Sequence, residues 1–156
     1  MSTIHVVAVG RVSHPALRAA CDDYLERIRK VWSVEVHEAR SPTGRFAPGE
    51  RMRREGDRLL AIIPPEALSI ALTRAGRSES SQGFARRLSG WQQTHRDIAF
   101  VIGGADGLDR RVHHRCGEAL SLSSMTLPHE LARLVLLEQL YRASTIRRGT
   151  PYHKGE

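Results

Sequence analysis

The chain has 156 residues, of which 40% are hydrophobic and 26% are charged. This composition is typical of a globular protein and indicates a single domain over residues 1–156. No stretch approaches the roughly 20 apolar residues that cross a bilayer, and the N-terminus lacks the basic start and cleavage site of a secretory signal. The two cysteines, Cys21 and Cys116, fall in helical patterns without zinc-ligand spacing. We therefore expect a reduced, cytoplasmic protein with no membrane segment and no metal.

The formal net charge is +7, and 22 of the 24 basic residues are arginine, since the chain has only two lysines. Arginine makes bidentate contacts with phosphate and stacks on bases. The composition therefore favours a polyanionic partner, with nucleic acid first. The alternative is a genome rich in G and C, which encodes arginine in place of lysine. Arginines also cluster on one predicted helix, at Arg51, Arg53, Arg54 and Arg58. These side chains either form a solvated helix face or contact phosphates, and both interpretations stay open.

Strand and helix patterns alternate along the chain. Runs of β-branched residues and alternation at period two indicate strands, and apolar residues at i, i+3, i+4 spacing indicate helices. In chain order these patterns predict strand 4–9, helix 15–32, strand 33–39, a loop over 40–49, helix 50–63, strand 68–72, helix 80–94, strand 98–102, helix 109–119, strand 120–125 and helix 129–146. The alternation predicts an α/β domain with a mostly parallel sheet and helices on both faces. The half-buried pattern of strand 33–39 places it near a sheet edge.

The last predicted helix is apolar on more than one side. Its apolar positions are Leu131, Ala132, Leu134, Val135, Leu136, Leu137, Leu140, Tyr141 and Ala143. They cover far more than the stripe of one amphipathic face, so the helix is expected to be buried on two sides. An outer helix of a small domain normally keeps one side in water. We therefore expect this helix to pack both on its own sheet and against a second copy, in a two-fold homodimer.

Three glycines follow the buried strand 98–102, at Gly103, Gly104 and Gly107. Open α/β sheets bind ligands at the carboxyl ends of their strands, and glycine lets a backbone approach a ligand closely. The segment is neither a P-loop nor a GxGxxG dinucleotide fingerprint. A tight strand-to-helix turn is the alternative interpretation, with Asp106 and Asp109 as caps of the following helix.

A hydroxyl-rich segment, residues 121–128, follows the last predicted strand. Its hydroxyls and free backbone groups can hydrogen-bond a purine edge or a ribose, and Leu122, Met125 and Leu127 can form the wall of an adenine site. A Ser/Thr-rich turn before a helix is the alternative. Hydrolase chemistry is disfavoured because no GxSxG elbow occurs. The adjacent pair His113 and His114 points in two directions on a helix, so it is a poor chelator of one metal.

Four motifs in order carry a resemblance to a known family. They are the glycine loop after a buried strand, the segment SLSSMTLPHELAR at 121–133, the LYRA sequence at 140–143 and the terminal PYHK at 151–154. Together they resemble the ribosomal large subunit methyltransferase H family, a small branch of the SPOUT methyltransferases. The resemblance spans the whole chain and is strongest from Phe100 to the C-terminus.

The resemblance implies a SPOUT-type α/β fold with a C-terminal trefoil knot, a homodimer, and S-adenosylmethionine as cofactor. It implies methylation of N3 of a pseudouridine in helix 69 of 23S rRNA. Because a 156-residue chain has little room for a separate RNA-binding domain, we expect it to act on a preformed surface such as the assembled ribosome. By position, the cofactor-binding residues would be Leu72, Gly103, Gly104, Ser123, Ser124, Met125, Thr126, Leu127 and Pro128. A SPOUT enzyme for another RNA position, a non-catalytic RNA-binding protein and a nucleotide-binding hydrolase are the alternatives.

The resemblance also implies that the tail faces the substrate across the dimer interface. Tyr152 and His153 would be catalytic. As a mechanistic hypothesis, we expect His153 first and His129 second as the base that accepts the imide proton, because histidine has its usual pKa near neutral. Arg142 matches the arginine of the family's LYRA motif, and from the chemistry of the side chains we expect Arg142, Arg147, Arg148 and Lys154 to hold substrate phosphates. The chain departs from the family at 147–150, which reads Arg-Arg-Gly-Thr where many relatives carry Asn-His before the PYH motif.

Overall fold

Strands and α-helices alternate along residues 1–153, the part of the chain that the computed structural model describes. The elements are β1 (Thr3–Val9), α1 (Pro15–Arg29), β2 (Ser33–Ala39), α2 (Glu50–Ile62), β3 (Leu68–Ser78), α3 (Ser81–Thr94), β4 (Asp97–Ile102), α4 (Arg110–Arg115), β5 (Glu118–Ser121), α5 (His129–Arg148) and a final 3-10 turn (Pro151–His153). The alternation predicted from the sequence is confirmed. No helix in this range is both long and apolar enough to span a bilayer.

The strands form one sheet in the order β2-β1-β4-β3-β5. Every neighbouring pair of strands is parallel. β1 lies inside the sheet and is buried from Ile4 to Val9, which explains its uninterrupted apolar sequence. β2 lies at one edge, as its alternating pattern predicted. The parallel α/β class is therefore confirmed, whereas the trefoil knot stays a prediction.

Helices cover both faces of the sheet, as expected. One core lies between the sheet and α1, α3 and α5, and its largest buried members include Ile28, Leu88, Phe100, Leu137 and Leu140. The second core lies between the sheet and α2 and α4, and includes Val7, Leu59, Ala99, Val101 and Val112. Consecutive residues of β1 and β4 enter opposite cores, because side chains alternate across a strand.

The predicted bounds of four elements are wrong. α1 ends at Arg29 and is followed by a turn at 30–31, and the other three errors concern β5, the helix before it and the strand β3 that pairs with it. β3 continues to Ser78, and its pairing with β5 shifts register between Leu72 and Arg77. Helix α4 ends at Arg115 because residue 116 is already extended and residues 118–121 pair with β3. The last strand is therefore Glu118–Ser121, and the segment predicted as strand up to residue 125 is a loop.

Two residues of the Arg51–Arg58 cluster support the loop at 40–49. The Arg51 guanidinium donates to the carbonyls of Pro42 and Gly44, at 3.1 and 2.9 Å, and Arg58 donates to the carbonyl of Arg40. Such bonds fix a loop that has no regular secondary structure of its own. The cluster therefore has a structural role in holding this loop beside α2.

Candidate active site

A cavity of about 430 Å³ opens at the carboxyl edge of the sheet. Its walls are the irregular part of β3 from Leu72 to Arg74, the glycine loop 103–108, the segment 122–127 after β5, and the start of α5. Strands β4, β3 and β5 are neighbours in the sheet, so the segments that follow them converge. The volume lies in the range of small-molecule and cofactor sites.

The glycine loop has no room for side chains at its first two positions. A Cβ on Gly103 would lie 2.6 Å from the carbonyl oxygen of Gly107, and one on Gly104 would lie 2.5 Å from Oε2 of Glu55. Gly107 has φ of 90°, which L side chains rarely adopt. Its N–H donates to the carbonyl of Gly104 at 3.1 Å. All three glycines are therefore required by the shape of this loop.

Glu55 of α2 lies behind the glycine loop and is 4% exposed. Its Oε1 has no hydrogen-bond partner within the described part of the chain. Burial raises the pKa of this carboxyl, and the negative charge of Asp106 adds to the effect. Sequence reasoning missed this residue, because a glutamate on a charged helix gives no sign of burial.

The segment after β5 forms a compact turn at the cavity. The Ser121 hydroxyl donates to the carbonyl of Ser123 at 3.0 Å, and the Met125 N–H donates to the Ser123 hydroxyl at 2.9 Å. Met125 is 77% exposed although it lies on the cavity wall. The predicted residues that line the cavity are Leu72, Gly103, Gly104, Ser123, Met125, Thr126, Leu127 and His129. Ser124 and Pro128 belong to the same segment but are not lining residues.

His129 is held at the cavity by the anchored first turn of α5. The next residue, Glu130, accepts hydrogen bonds from the backbone N–H groups of Ser13 and His14 and from the Ser13 hydroxyl, at 2.9, 3.1 and 3.0 Å. These bonds, led by the one from His14, lower the pKa of Glu130. One turn later, the buried Arg133 pairs with Glu38 and donates to the carbonyl of residue 10 at 2.7 Å.

The tail packs on α1 and α5 in the described chain. The Tyr152 hydroxyl donates to Glu138 at 2.9 Å and lies 3.0 Å from the Tyr24 hydroxyl. Burial raises the pKa of the Tyr152 phenol, and these two hydrogen bonds raise it further. The Arg142 guanidinium lies 5.0 Å from the Tyr152 ring and pairs with Glu138 at 2.7 Å. Tyr152 and Arg142 therefore form one cluster, and neither lines the cavity of its own chain.

The other predicted substrate-binding residues lie near the end of α5 or beyond the described range. Arg147 and Arg148 are exposed in its last turn. Arg147 donates to the Gln92 side chain at 2.8 Å, and Arg148 donates to the carbonyl of Ser144 at 3.2 Å. Lys154 and the side chain of His153 lie outside the described residues.

Comparison with known proteins identifies the family. The family model described as "Predicted SPOUT methyltransferase" matches residues 2–153. A protein of Gemmatimonas aurantiaca named "Ribosomal RNA large subunit methyltransferase H" is 43% identical over 97% of this chain and 99% of its own length. A protein of the same name from Anaeromyxobacter sp. is 47% identical over 97% of this chain and 99% of its own length. The chain belongs to the methyltransferase H family of SPOUT methyltransferases.

A solved structure supports the fold of this SPOUT methyltransferase. It is described as a probable methylase family protein from Haemophilus influenzae Rd KW20, with a TM-score of 0.56 and 13% identity. The match covers 97% of this chain and 70% of that chain. At this identity the likeness concerns the α/β fold alone. The resemblance predicted from the sequence motifs is confirmed by the family match.

Several cavity residues of the SPOUT chain were missed by sequence reasoning. The lining residues for which no binding role was predicted are Thr73, Arg74, Ile102, Ala105, Asp106, Leu108, His113 and Ala132, whereas Leu122 and Gly107 line the cavity as the sequence predicted. Thr73 and Arg74 follow directly after the predicted strand end at Leu72. The rule that ligands bind at carboxyl ends of strands could have found them. His113 lines the cavity because α4 begins immediately after the glycine loop.

Proposed function

We propose that this chain is an S-adenosylmethionine-dependent methyltransferase that methylates N3 of a pseudouridine in helix 69 of 23S rRNA. The observation that carries the proposal is the cavity at the carboxyl edge of the sheet, in a chain of the methyltransferase H family. We further propose that the enzyme acts as a homodimer on the assembled ribosome. Ribosomes are found in the cytoplasm, so we propose that location.

The lining residues fit S-adenosylmethionine in size and in chemistry. Leu72, Ile102, Leu122 and Leu127 offer apolar walls for an adenine ring. The glycine loop and the turn around Ser123 offer backbone groups for the edge of the ring, and Asp106 offers a carboxylate for a ribose or an ammonium group. When bound, the cofactor supplies an activated methyl group on a positively charged sulfur. The chain then has to bind the two reactants, align them and exclude water.

Proton removal from the imide is the chemical task left to the side chains. An imide nitrogen becomes a good nucleophile only when its proton is accepted by a group within hydrogen-bond reach. His129 lines the cavity, and we propose it as a base together with His153 of the tail. Histidine is suited to this task because its usual pKa is close to neutral. We propose that Tyr152 contacts the target base, with Arg142, Arg147, Arg148 and Lys154 at phosphates.

The surface of α5 supports the homodimer. Leu131 and Val135 are half-buried in the single chain, and they belong to neither hydrophobic core. They lie four residues apart on the same helix face, next to the cavity-lining His129 and Ala132. Met125 on the cavity wall is a further apolar side chain that is exposed in the single chain. We propose that a second copy packs on this surface and that its tail completes the pocket.

Calorimetry with S-adenosylmethionine tests the cofactor assignment first. We expect saturable binding, weakened in a Gly103→Ala variant because the added Cβ meets backbone. No binding at millimolar ligand would contradict the enzyme proposal and leave a non-catalytic RNA-binding protein. Matched Leu127→Ala and Leu60→Ala variants compare a cavity wall with a half-buried residue of α2 that is not a lining residue. Only the first is expected to weaken binding.

Mass spectrometry of rRNA tests the substrate assignment. In a strain that lacks the gene, the helix 69 pseudouridine is expected to lose its N3 methyl group, and the purified enzyme is expected to restore it on isolated ribosomes. Retention of the methyl group would refute this target. If the cofactor still bound, the enzyme would then be a SPOUT methyltransferase for another RNA position.

A further inference from the structure

A second cluster of chemically active side chains lies far along the strands from the cavity. His5 of β1 and Glu35 and His37 of β2 point their ligand atoms toward one another, all within 4.8 Å. His5 and Glu35 are register partners in the sheet, and His37 lies two residues further along β2. In a strand, residues i and i+2 share a face. Parallel pairing therefore places all three side chains on one side of the sheet.

The three ligand atoms are spaced as the ligands of a small metal ion are. His5 Nδ1 lies 2.9 Å from His37 Nε2 and 3.8 Å from Glu35 Oε2, and His37 Nε2 lies 3.6 Å from the same oxygen. The circle through three atoms with these separations has a radius of about 2.0 Å, which is close to the Zn–N and Zn–O bond lengths of protein sites. An ion near the centre would reach all three atoms without movement of the backbone.

Asp97, the first residue of β4, fixes the orientation and the tautomer of His5. Its Oδ1 lies 2.7 Å from His5 Nε2, so Nε2 carries the proton and Nδ1 presents its lone pair toward His37 and Glu35. Histidine ligands of metals commonly donate their other ring N–H to a carboxylate in this way. His5 is only 7% exposed, so its ring has little freedom to turn elsewhere.

We propose that His5, Glu35 and His37 form a Zn²⁺ site, with water as the fourth ligand. Two imidazoles and one carboxylate are a common zinc donor set. The side chains of Glu35 and His37 are 59% and 30% exposed, which leaves the fourth position open to solvent. At bond lengths of about 2.05 Å, right-angle ligands of an octahedral site lie about 2.9 Å apart and tetrahedral ligands about 3.3 Å apart. The His5–His37 separation of 2.9 Å matches the octahedral value, but the other two, 3.8 and 3.6 Å, are longer, and the mean of the three is about 3.4 Å. The tetrahedral geometry of Zn²⁺ therefore fits better than that of Mg²⁺ or Fe²⁺.

The proposed ion would join the edge strand β2 to the central strand β1. It binds on the middle part of β1 and β2, and none of its three ligands lines the cavity at the carboxyl edge of the sheet, so it takes no part in methyl transfer. Binding requires neutral imidazoles, and the proton that His37 shares with His5 without metal must move to the other ring nitrogen or to solvent.

Zinc titration of the full-length, tag-free, chelator-treated protein tests the proposal. We expect one Zn²⁺ per chain by calorimetry, and a rise in Tm of about 5 °C or more when free Zn²⁺ exceeds Kd a hundredfold. His37→Gln and Glu35→Gln each remove one ligand that belongs to neither hydrophobic core, and they are expected to abolish this binding. His114→Gln, on the exposed face of α4, is the matched control and is expected to bind as the parent does.

Two further measurements test the geometry. Asp97→Asn is expected to weaken binding by about 10- to 100-fold, as loss of a carboxylate partner of a ligand histidine does. Co²⁺ in place of Zn²⁺ is expected to give the intense visible absorption of tetrahedral cobalt. Absence of saturable Zn²⁺ binding, or equal binding by the parent, His37→Gln and Glu35→Gln, would overturn the proposal. A weak octahedral cobalt spectrum would overturn the tetrahedral assignment.

Discussion

Gly104→Ala is expected to damage the cavity through one contact, with the buried Glu55. The added Cβ would lie 2.5 Å from Oε2 and 2.8 Å from Oε1 of that carboxylate, whereas a carbon and an oxygen normally stay more than about 3.3 Å apart. The carboxylate must move by somewhat less than 1 Å, or the loop must move into the cavity. Overpacking of this kind costs about 1–3 kcal/mol. Because 1.4 kcal/mol corresponds to a tenfold change in a binding constant, S-adenosylmethionine binding is expected to weaken by about 5- to 150-fold if the loop carries this cost.

A double-mutant cycle isolates that contact. Glu55→Asp withdraws the carboxylate by one methylene, so the double variant Gly104→Ala/Glu55→Asp is expected to regain most of the lost affinity, with a coupling energy of about 1 kcal/mol or more. This coupling energy is measured by calorimetry and urea unfolding on the parent, the two single variants and the double variant. Gly103→Ala meets the backbone of Gly107 and is not expected to be rescued by Glu55→Asp. Additive effects of the first pair, within about 0.3 kcal/mol, would refute this reasoning.

A helix glycine provides the matched control for these loop variants. Gly90 lies in α3, and a Cβ built on it meets nothing within 4 Å. Gly90→Ala is therefore expected to stabilise the fold by about 0.5–1 kcal/mol and to leave cofactor affinity unchanged. If it weakened binding as Gly104→Ala does, a general effect of alanine would replace the contact with Glu55 as the explanation.

Three further predictions concern charge and packing elsewhere. Because the pKa of Glu55 is raised, the folded state holds its proton to higher pH than the unfolded chain does. As pH rises from about 4.3 to the raised pKa, the parent is expected to lose unfolding free energy relative to Glu55→Gln, by at most about 1.4 kcal/mol per pH unit. Urea unfolding of both proteins between pH 4 and 8 measures this difference, and a difference that stays constant with pH would contradict the prediction. Arg133→Met leaves Glu38 and a carbonyl without their partner and is expected to cost about 3 kcal/mol of unfolding free energy, with Glu38→Gln costing less because Glu38 is partly exposed. Val135→Asp is expected to convert the proposed dimer to a folded monomer in light scattering, and an unchanged mass would argue that α5 is not the interface.

The sequence predicted the fold well because its signals were local. Uninterrupted apolar runs identified β1 and β4, and helical spacing identified the five helices within a few residues. The errors at β3 and β5 have one physical cause. β3 leaves its register after Leu72 and pairs again at Arg77, and a Cβ on Gly76 would lie 2.7 Å from the Leu120 backbone. That irregularity depends on the neighbouring strand, which local pattern cannot show.

Part of the candidate site could also be predicted, since chain order places the ends of parallel strands at one sheet edge. That rule and the family motifs located Gly103, Ser123 and Leu127 on the cavity wall. Glu55 and His113 escaped because their positions depend on how α2 and α4 pack around the glycine loop. The Tyr152 cluster escaped because it needs α1, whose Tyr24 is 128 residues away in sequence.

The proposed zinc site could not be predicted from local sequence pattern either, because its ligands come from two different strands. From the sequence, His5 is one histidine in a buried strand, and Glu35 and His37 are polar positions of a half-exposed one. Only the pairing of His5 with Glu35 brings them together, and a slip of one residue would turn either strand's side chains to the other face. Metal spacing along the chain, the criterion that argued against a metal, detects ligands on one helix or loop. It cannot detect ligands that two strands supply jointly, so such sites have to be sought in the register of the sheet.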